Sequence, residues 1–232
     1  MKMRIAKFIA QTGAASRRDA ERLVESGSVT VNGAVVNTPV FFVDDGDAVA
    51  INGAQIQKKG APQLYMFHKP VNVMTTARDP MGRRTVYDCL PEKYKNLKYV
   101  GRLDFKTSGL LLMTNDGELA RRLTLPASGI RRTYIATVGG RDLSGIDRAR
   151  AGVTAGGVRY RPMEIDVVGD NVLRVTVTEG KKNEIRIVLR ECGAPVLKLH
   201  REKFGNIELG DLPRGKIIAV PQKTVDALIK SL

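Results

Sequence analysis

Gly101-Arg102-Leu103-Asp104-Phe105-Lys106-Thr107-Ser108-Gly109-Leu110-Leu111-Leu112 sets one acid between two apolar segments. Tyr99 and Val100 read as a strand-like approach, and the run from Leu110 to Met113 reads as a second, longer strand. Gly101 and Gly109 let the backbone turn sharply. Arg102 and Lys106 flank Asp104, so a carboxylate is held next to positive charge. Taken alone, this is also the pattern of a hairpin acid facing solvent, because most loop acids carry no chemistry.

Outward from that stretch, strand-like segments at Leu64–His68, Thr133–Val138 and Val172–Val177 alternate with helix candidates at Gly117–Leu123 and Asn183–Glu191. That mixture predicts an α+β fold with a mainly antiparallel sheet over residues 64–232. The first 53 residues have a different organisation. Ile5, Phe8 and Ile9 recur at helical spacing until Gly13. Ser16-Arg17-Arg18-Asp19 is a capping-box-like start, with Asp where Glu is more usual. The helix it opens turns Ala20, Leu23 and Val24 inward and stops at Gly27. Val29-Thr30-Val31, Asn32-Gly33 and Ala34-Val35-Val36 form a hairpin signal. Ala48 to Ile51 is a further strand, ending at Asn52-Gly53. Between the two regions, residues 57–63 (Gln-Lys-Lys-Gly-Ala-Pro-Gln) lack apolar periodicity and read as a linker. The domains are therefore expected at 1–56 and 64–232: a small α/β domain followed by a larger α+β one.

The chain has 232 residues, with 38 Lys and Arg against 24 Asp and Glu, a formal net charge of +14. A surplus of that size is an electrostatic footprint for a polyanion, most often nucleic acid. Residues 1–60 carry only +2 of it and residues 61–232 carry +12, so the small domain is not the sole RNA-binding surface. Lys7, Arg17, Arg18 and Arg22 nevertheless gather around the start of one helix, where free N–H groups and the dipole favour phosphate. A solvated face interleaved with Asp19, Glu21 and Glu25 is the competing reading there.

The segment from Gly101 through Leu119-Ala120 resembles the catalytic motif of pseudouridine synthases of the RsuA type. Four further stretches match that family in order: Phe67-His68-Lys69-Pro70 with Val73 and Thr75; Arg132-Thr133-Tyr134; Thr178-Glu179-Gly180-Lys181-Lys182-Asn183-Glu184-Ile185-Arg186-Ile187-Val188-Leu189; and Leu199-His200-Arg201-Glu202-Lys203-Phe204-Gly205 through Gly215. The first 53 residues resemble the alpha-L RNA-binding module of ribosomal proteins. The resemblance thus implies that the small domain is RNA-binding and the larger one catalytic. The resemblance implies that Asp104 starts the reaction and that Tyr134 stacks on the target base. It also implies that Arg186 forms an ion pair with Asp104 and that Leu189 is an apolar wall of the pocket. Arg102 and Lys106 would hold the flanking backbone. Two departures stand out: Ile187 where a second basic residue is common, and Glu184 where Gln is frequent.

The expected activity is isomerisation of a uridine in ribosomal RNA to pseudouridine, on free RNA or a ribosomal assembly intermediate, with no cofactor and no metal. Asp79 through Asp88 leans toward large-subunit RNA. A noncatalytic rRNA-binding assembly factor is the alternative, and only the intact Asp104, Tyr134 and Arg186 set disfavours it. Cys89 and Cys192 form no CxxC pair and read as reduced thiols. His68 and His200 have no Cys or His at ligand spacing. Asp44-Asp45-Gly46-Asp47 reads as a turn, not a calcium loop. With no apolar segment of spanning length, a cytoplasmic monomer with no membrane partner is expected.

Overall fold

A computed structural model of the chain describes residues 2–57, 60–140 and 143–232. It divides into two compact units, the first of Met1–Pro62 with Asn115–Gly117 and the second of Gln63–Thr114 with Glu118–Leu232. Lys58 and Lys59 of the expected linker lie outside the described residues.

In the first unit a two-residue strand β1 (Met3–Arg4) runs into α1 (Ile5–Thr12), which buries Ile5, Phe8 and Ile9 and ends at Gly13 in the left-handed region. Helix α2 (Arg17–Glu25) starts as its sequence implied. The Ser16 hydroxyl oxygen accepts from the Asp19 N–H, and the hydroxyl donates back to the Asp19 carboxylate at 2.6 Å. The Ser16 side chain thus caps the helix, but the acid bonds back to the hydroxyl and not to the Ser16 N–H, so the expected capping box is only half formed. Strands β2 (Val29–Val31) and β3 (Ala34–Val36) meet across Asn32-Gly33, both at positive φ, the geometry of a tight hairpin turn. Strand β4 (Phe42–Val43) pairs with β1. Strands β5 (Val49–Ile51) and β6 (Ala54–Ile56) repeat the Asn-Gly turn at Asn52-Gly53 and complete a four-stranded sheet of order β3-β2-β5-β6. The last of these strands is additional to the sequence reading. In the Asp44–Asp47 turn, the Asp47 carboxylate accepts the Asp44 N–H and an Asn32 side-chain N–H, so it is used within the chain.

The second unit is built on β7 (Leu64–Lys69), β8 (Lys98–Val100), β9 (Thr107–Thr114), α3 (Gly117–Thr124), β10 (Arg132–Val138), α4 (Ile146–Ala151), a small hairpin of β11 (Thr154–Ala155) and β12 (Val158–Arg159), β13 (Glu164–Gly169), β14 (Val172–Val177), α5 (Glu184–Glu191), β15 (Val196–Phe204), β16 (Ile207–Glu208), β17 (Ile217–Ala219) and α6 (Gln222–Lys230). Nine of these strands make one sheet along β13-β14-β10-β15-β9-β7-β17, with β16 on β15 and β8 on β9. All pairs are antiparallel except β9 with β15, which run parallel through Leu199–Thr107, His200–Ser108 and Arg201–Gly109. The α+β class and mainly antiparallel sheet agree with the sequence.

Every residue of β9 is buried. Its alternation sends Leu110 and Leu112 into one apolar cluster with Phe204 and Val225, and Leu111 and Met113 into another with Phe67 and Leu103. A strand covered on both faces needs a continuous apolar run, which is why Leu110–Met113 lacks polar alternation. A third cluster lies under α4 and α5 and includes Ala136, Val138, Leu173 and Val188.

Candidate active site

Asp104 sits in the turn between β8 and β9. Gly101 turns the chain at positive φ, and Thr107 N–H closes the turn on Asp104 O at 3.0 Å. Two buried side chains pin this turn from behind. Thr75 bonds Leu103 from both sides, its hydroxyl donating to Leu103 O at 2.7 Å and accepting Leu103 N–H at 3.3 Å. Lys69 is wholly buried and donates to the carbonyls of Pro70 (3.0 Å), Asp104 (3.3 Å) and Thr107 (2.9 Å). Burial pulls its ammonium down to about 8, against the attraction of Asp104. The Asp104 backbone is thus fixed while its half-buried side chain borders an open cleft of about 460 Å³.

Tyr134, from β10, borders the same cleft. Ala136 and Val138 share its face of the strand, as the alternation implied, and are packed in the core. Arg102 is exposed at the rim. Apolar wall comes from Ile185, Leu199 and Val177.

Three expectations take a different form. Leu189 is not a wall of this cleft: it is completely buried in the cluster under α5. One helical turn separates it from Ile185, and Ile185 reaches the cleft because it lies at the helix start. Arg186 does not grip the Asp104 carboxylate. Its guanidinium donates to Val196 O and Lys106 O, both at 3.0 Å, tying α5 to β15 and to the turn that carries Asp104. Burial lowers the Arg186 pKa and the Asp104 charge works against that, so the two groups act on each other across space and not by contact. Lys106 lends its carbonyl to that arrangement, while its side chain is exposed and outside the cleft lining.

Several further residues line the cleft that the sequence placed in the matching stretches without a role there, Glu184 among them as a departure from the family pattern. Arg132, buried at the start of β10, donates to Thr178 O and Glu179 O at 3.1 and 3.0 Å. Arg201, on β15, is 2% exposed and reaches the Tyr134 hydroxyl at 3.5 Å. Lys181, Lys182 and Asn183 form the loop ahead of α5. Glu184 is buried there against Glu179. Burial first, then a hydrogen bond shared with the Glu179 carboxyl, pushes its acid up to about 7. Burial also acts upward on Glu179, but bonds from Lys181 and the Arg161 backbone outweigh it and hold that carboxylate below its usual range. An arginine at an inward position of an alternating strand, as in Leu199-His200-Arg201, was the readable signal for one of these.

In the first unit Arg17, Arg18 and Arg22 are exposed on the first turns of α2, with Arg22 donating to Asp19 at 3.3 Å, and Lys7 is half-buried on α1. His68 and His200 meet edge to face, ring centroids 5.3 Å apart. Among the described residues no three His, Cys, Asp or Glu side chains converge as metal ligands, and no helix is long and apolar enough to cross a membrane. Both cysteines are free thiols.

Residues 63–191 match the family model described as RNA pseudouridylate synthase, and residues 3–49 match the S4 domain. The chain belongs to the RNA pseudouridine synthase family. It is 35% identical over 220 residues to the ribosomal large subunit pseudouridine synthase B of Bacillus subtilis, covering 91% of this chain and 89% of that one. It is 33% identical over 222 residues to the ribosomal small subunit pseudouridine synthase A of Pseudomonas aeruginosa, covering 92% and 94%. A crystal structure titled as a pseudouridylate synthase shares the fold, with a TM-score of 0.71, 24% identity and coverage of 97% and 99%. The chain is therefore an isomerase that converts uridine to pseudouridine in RNA, with an S4 RNA-binding domain at its N-terminal end.

Proposed function

We propose that this synthase modifies one uridine of ribosomal RNA, of the large subunit, acting as a monomer and through Asp104. What carries the reading is the setting of Asp104: a carboxylate on a turn clamped from behind by Lys69 and Thr75, open in front to a cleft shared with Tyr134. A fixed acid beside an aromatic face suits a nucleobase taken out of its stack, since a uridine inside a stem is out of reach.

The reaction breaks the bond between ribose C1′ and base N1, turns the uracil, and rejoins C5 to C1′. The C5 proton is then lost and N1 gains one, so the product is an isomer. Asp104 starts the sequence by attack at C1′ or by removal of a ribose proton, and in both routes it must be ionised and aimed. Tyr134 stacks on the base and takes part in removing the C5 proton. Arg186 supports the carboxylate electrostatically and holds the Lys106 end of its turn. Arg102 and Lys106 contact the RNA backbone beside the flipped nucleotide, and Lys7, Arg17, Arg18 and Arg22 hold a flanking helix.

Relatives named for both subunits bracket the substrate class. The lean to the large subunit rests on the Asp79–Asp88 stretch. Pseudouridine mapping of both rRNAs from cells with and without the gene tests it. One large-subunit position should lose its modification, and return with the wild-type gene but not with Asp104→Asn. A lost small-subunit position would overturn the subunit assignment, and rescue by Asp104→Asn would overturn the role of Asp104.

A further inference from the structure

Arg201 is a buried cation without an anion. Its side chain is 2% exposed, Nε donates to Leu110 O at 2.7 Å, and Nη1 lies 3.5 Å from the Tyr134 hydroxyl. The guanidinium carbon is 5.9 Å from the centre of the Tyr134 ring and 5.4 Å from that of Phe204. Nη2 is buried with no partner. Among the described residues no carboxylate lies within ion-pairing distance of it. Leaving a charge unpaired in a low-dielectric interior is costly, and such groups are normally paired.

The surroundings do not neutralise it. Arg132 lines the same cleft, and Lys69 lies close enough to feel Arg201 as a repelling charge. Of the nearby acids, Glu179 is engaged by Lys181 and Arg161, and Glu184 holds a proton that it donates to the Glu179 carboxylate. Asp104 alone faces the cleft as a free carboxylate, so the floor keeps a positive surplus.

The backbone is built to seat this side chain. At Gly109, with φ +107°, an added Cβ would stand 2.2 Å from Arg201 O. Only glycine lets β9 approach β15 so closely at the one parallel pairing in the sheet.

We propose that Arg201 supplies the positive field that stabilises the uracil anion formed when the C1′–N1 bond breaks. The bond's electron pair leaves with N1 and spreads over N1, O2 and O4. The ribose carbon is satisfied by the Asp104 carboxylate or by loss of a ribose proton to it. C5 then bonds to C1′ as the C1′–Asp104 ester bond breaks, or as the ribose carbon takes its proton back from Asp104, so the negative charge returns to the Asp104 carboxylate. In the neutral adduct C5 finally loses its proton and N1 gains one. The inference rests on the reading of this cleft as the uridine site. A fixed cation, itself buried beneath the cleft, stabilises such a charge without reorganising, and removing one such donor costs typically ~100- to 1000-fold in rate.

The test compares wild type, Arg201→Gln and Arg201→Lys in single turnover at saturating rRNA transcript, carrying uridine or 5-fluorouridine. Fluorine withdraws electron density and stabilises the departing base anion. It also replaces the C5 proton, so consumption of the nucleoside is measured on that substrate. Arg201→Gln should be slower on uridine by about 100-fold or more, with RNA affinity within about threefold. The deficit should shrink at least tenfold on 5-fluorouridine, with Arg201→Lys intermediate. Equal deficits on the two substrates, or a Gln variant as fast as wild type, overturn the proposal. If Arg201→Gln does not fold by circular dichroism, the Lys variant is judged by the same narrowing. A wild type that modifies no rRNA transcript would instead overturn the reading of the site itself.

Discussion

The Lys69 ammonium reaches the Asp104 carbonyl at 3.3 Å from inside the core, so the acid's turn is held by a cation that does not itself line the cleft. A lysine without a salt bridge is buried there because three carbonyls, of Pro70, Asp104 and Thr107, take its three protons. Phe67-His68-Lys69-Pro70 read as a strand with a proline stop. The strand is present, and its last residue is the anchor of the site.

Lys69→Met should therefore weaken both the fold and the reaction. Three carbonyls lose their donor, offset in part by relief from burying a charge, so urea unfolding should show a loss of about 1–3 kcal/mol. Turnover at saturating RNA should fall at least tenfold while RNA affinity changes little. Unaltered turnover in a stably folded variant would mean that Thr75 alone fixes the turn.

Glu184 makes a pH limb. Its folded-state acid is raised from 4.5 to about 7, so the folded protein binds the proton more tightly than the unfolded chain. This contribution makes stability fall as pH rises from about 4.5 to about 7 and level off above that. On deprotonation, the groups facing the new carboxylate are Glu179 and Lys181 from the preceding loop and Arg132 from β10, with Arg161 on the far side of Glu179. Two adjoining carboxylates then repel each other at the cleft wall. Glu184→Gln keeps the shape and a donor, so it should remove this slope in urea midpoints and retain activity above pH 7 where wild type declines. Identical pH profiles for both proteins would refute the shared proton.

The N-terminal helices, both Asn-Gly turns and the strands flanking Asp104 were legible because each follows a local rule: helical periodicity, a cap, a turn pair, an apolar run. Tyr134 and Asp104 entered the same cleft as their motifs implied. Leu189 and the contact between Arg186 and Asp104 came out differently although α5 starts within one residue of its expected bounds, because both depend on what the helix packs against. Asn183 takes a left-handed conformation and the helix begins at Glu184, which brings Ile185 and not Leu189 to the opening. The burial of Glu184, Arg132 and Arg201 at the site stayed hidden for another reason. A polar side chain turned into the core reads in sequence like an exposed one, and only the packing of distant strands distinguishes them. The pairing of His68 with His200, 132 positions away, is equally beyond any local pattern.

Arg186→Leu should act chiefly by releasing carbonyls. Val196 O and Lys106 O lose their donors, and the Asp104 turn loses its tie to α5. Turnover at saturating RNA should drop at least tenfold, and Arg186→Lys should recover only part, since one ammonium cannot span both carbonyls with the same geometry. Any upward movement of the pH optimum should be small, because the guanidinium does not touch the carboxylate. A large upward movement would instead establish a direct ion pair in the working enzyme.

Gly109→Ala should be the most damaging single methyl in the chain. The added carbon would overlap Arg201 O, N and C at 2.2 to 2.9 Å, and the residue would sit at φ +107°. Backbone cannot swing aside within a sheet covered on both faces, so roughly 3 kcal/mol or more should be lost, or folding should fail. Gly33→Ala, at positive φ but with open space around it, is the control and should cost much less. Comparable losses for the two variants would mean that strain at positive φ alone, and not the β9–β15 approach, sets the requirement.

Changing Arg17, Arg18 and Arg22 together to Ala tests the role of the S4 unit. All three are exposed on the first turns of α2, and only Arg22 has an acid partner, a weak surface pair at 3.3 Å with both side chains largely in solvent. Folding should hardly change, because Ala20 and Val24 supply the buried face and Ser16 supplies the cap. RNA affinity should respond strongly. If each guanidinium neutralises one phosphate, the slope of log affinity against log salt should fall by about 2 to 3, the expectation for three fewer released counterions. Single-turnover rate at saturating RNA should stay near wild type, since none of the three lines the cleft. A salt slope equal to that of wild type would mean the three arginines are a solvated face, and that the cations of the second unit carry the RNA by themselves.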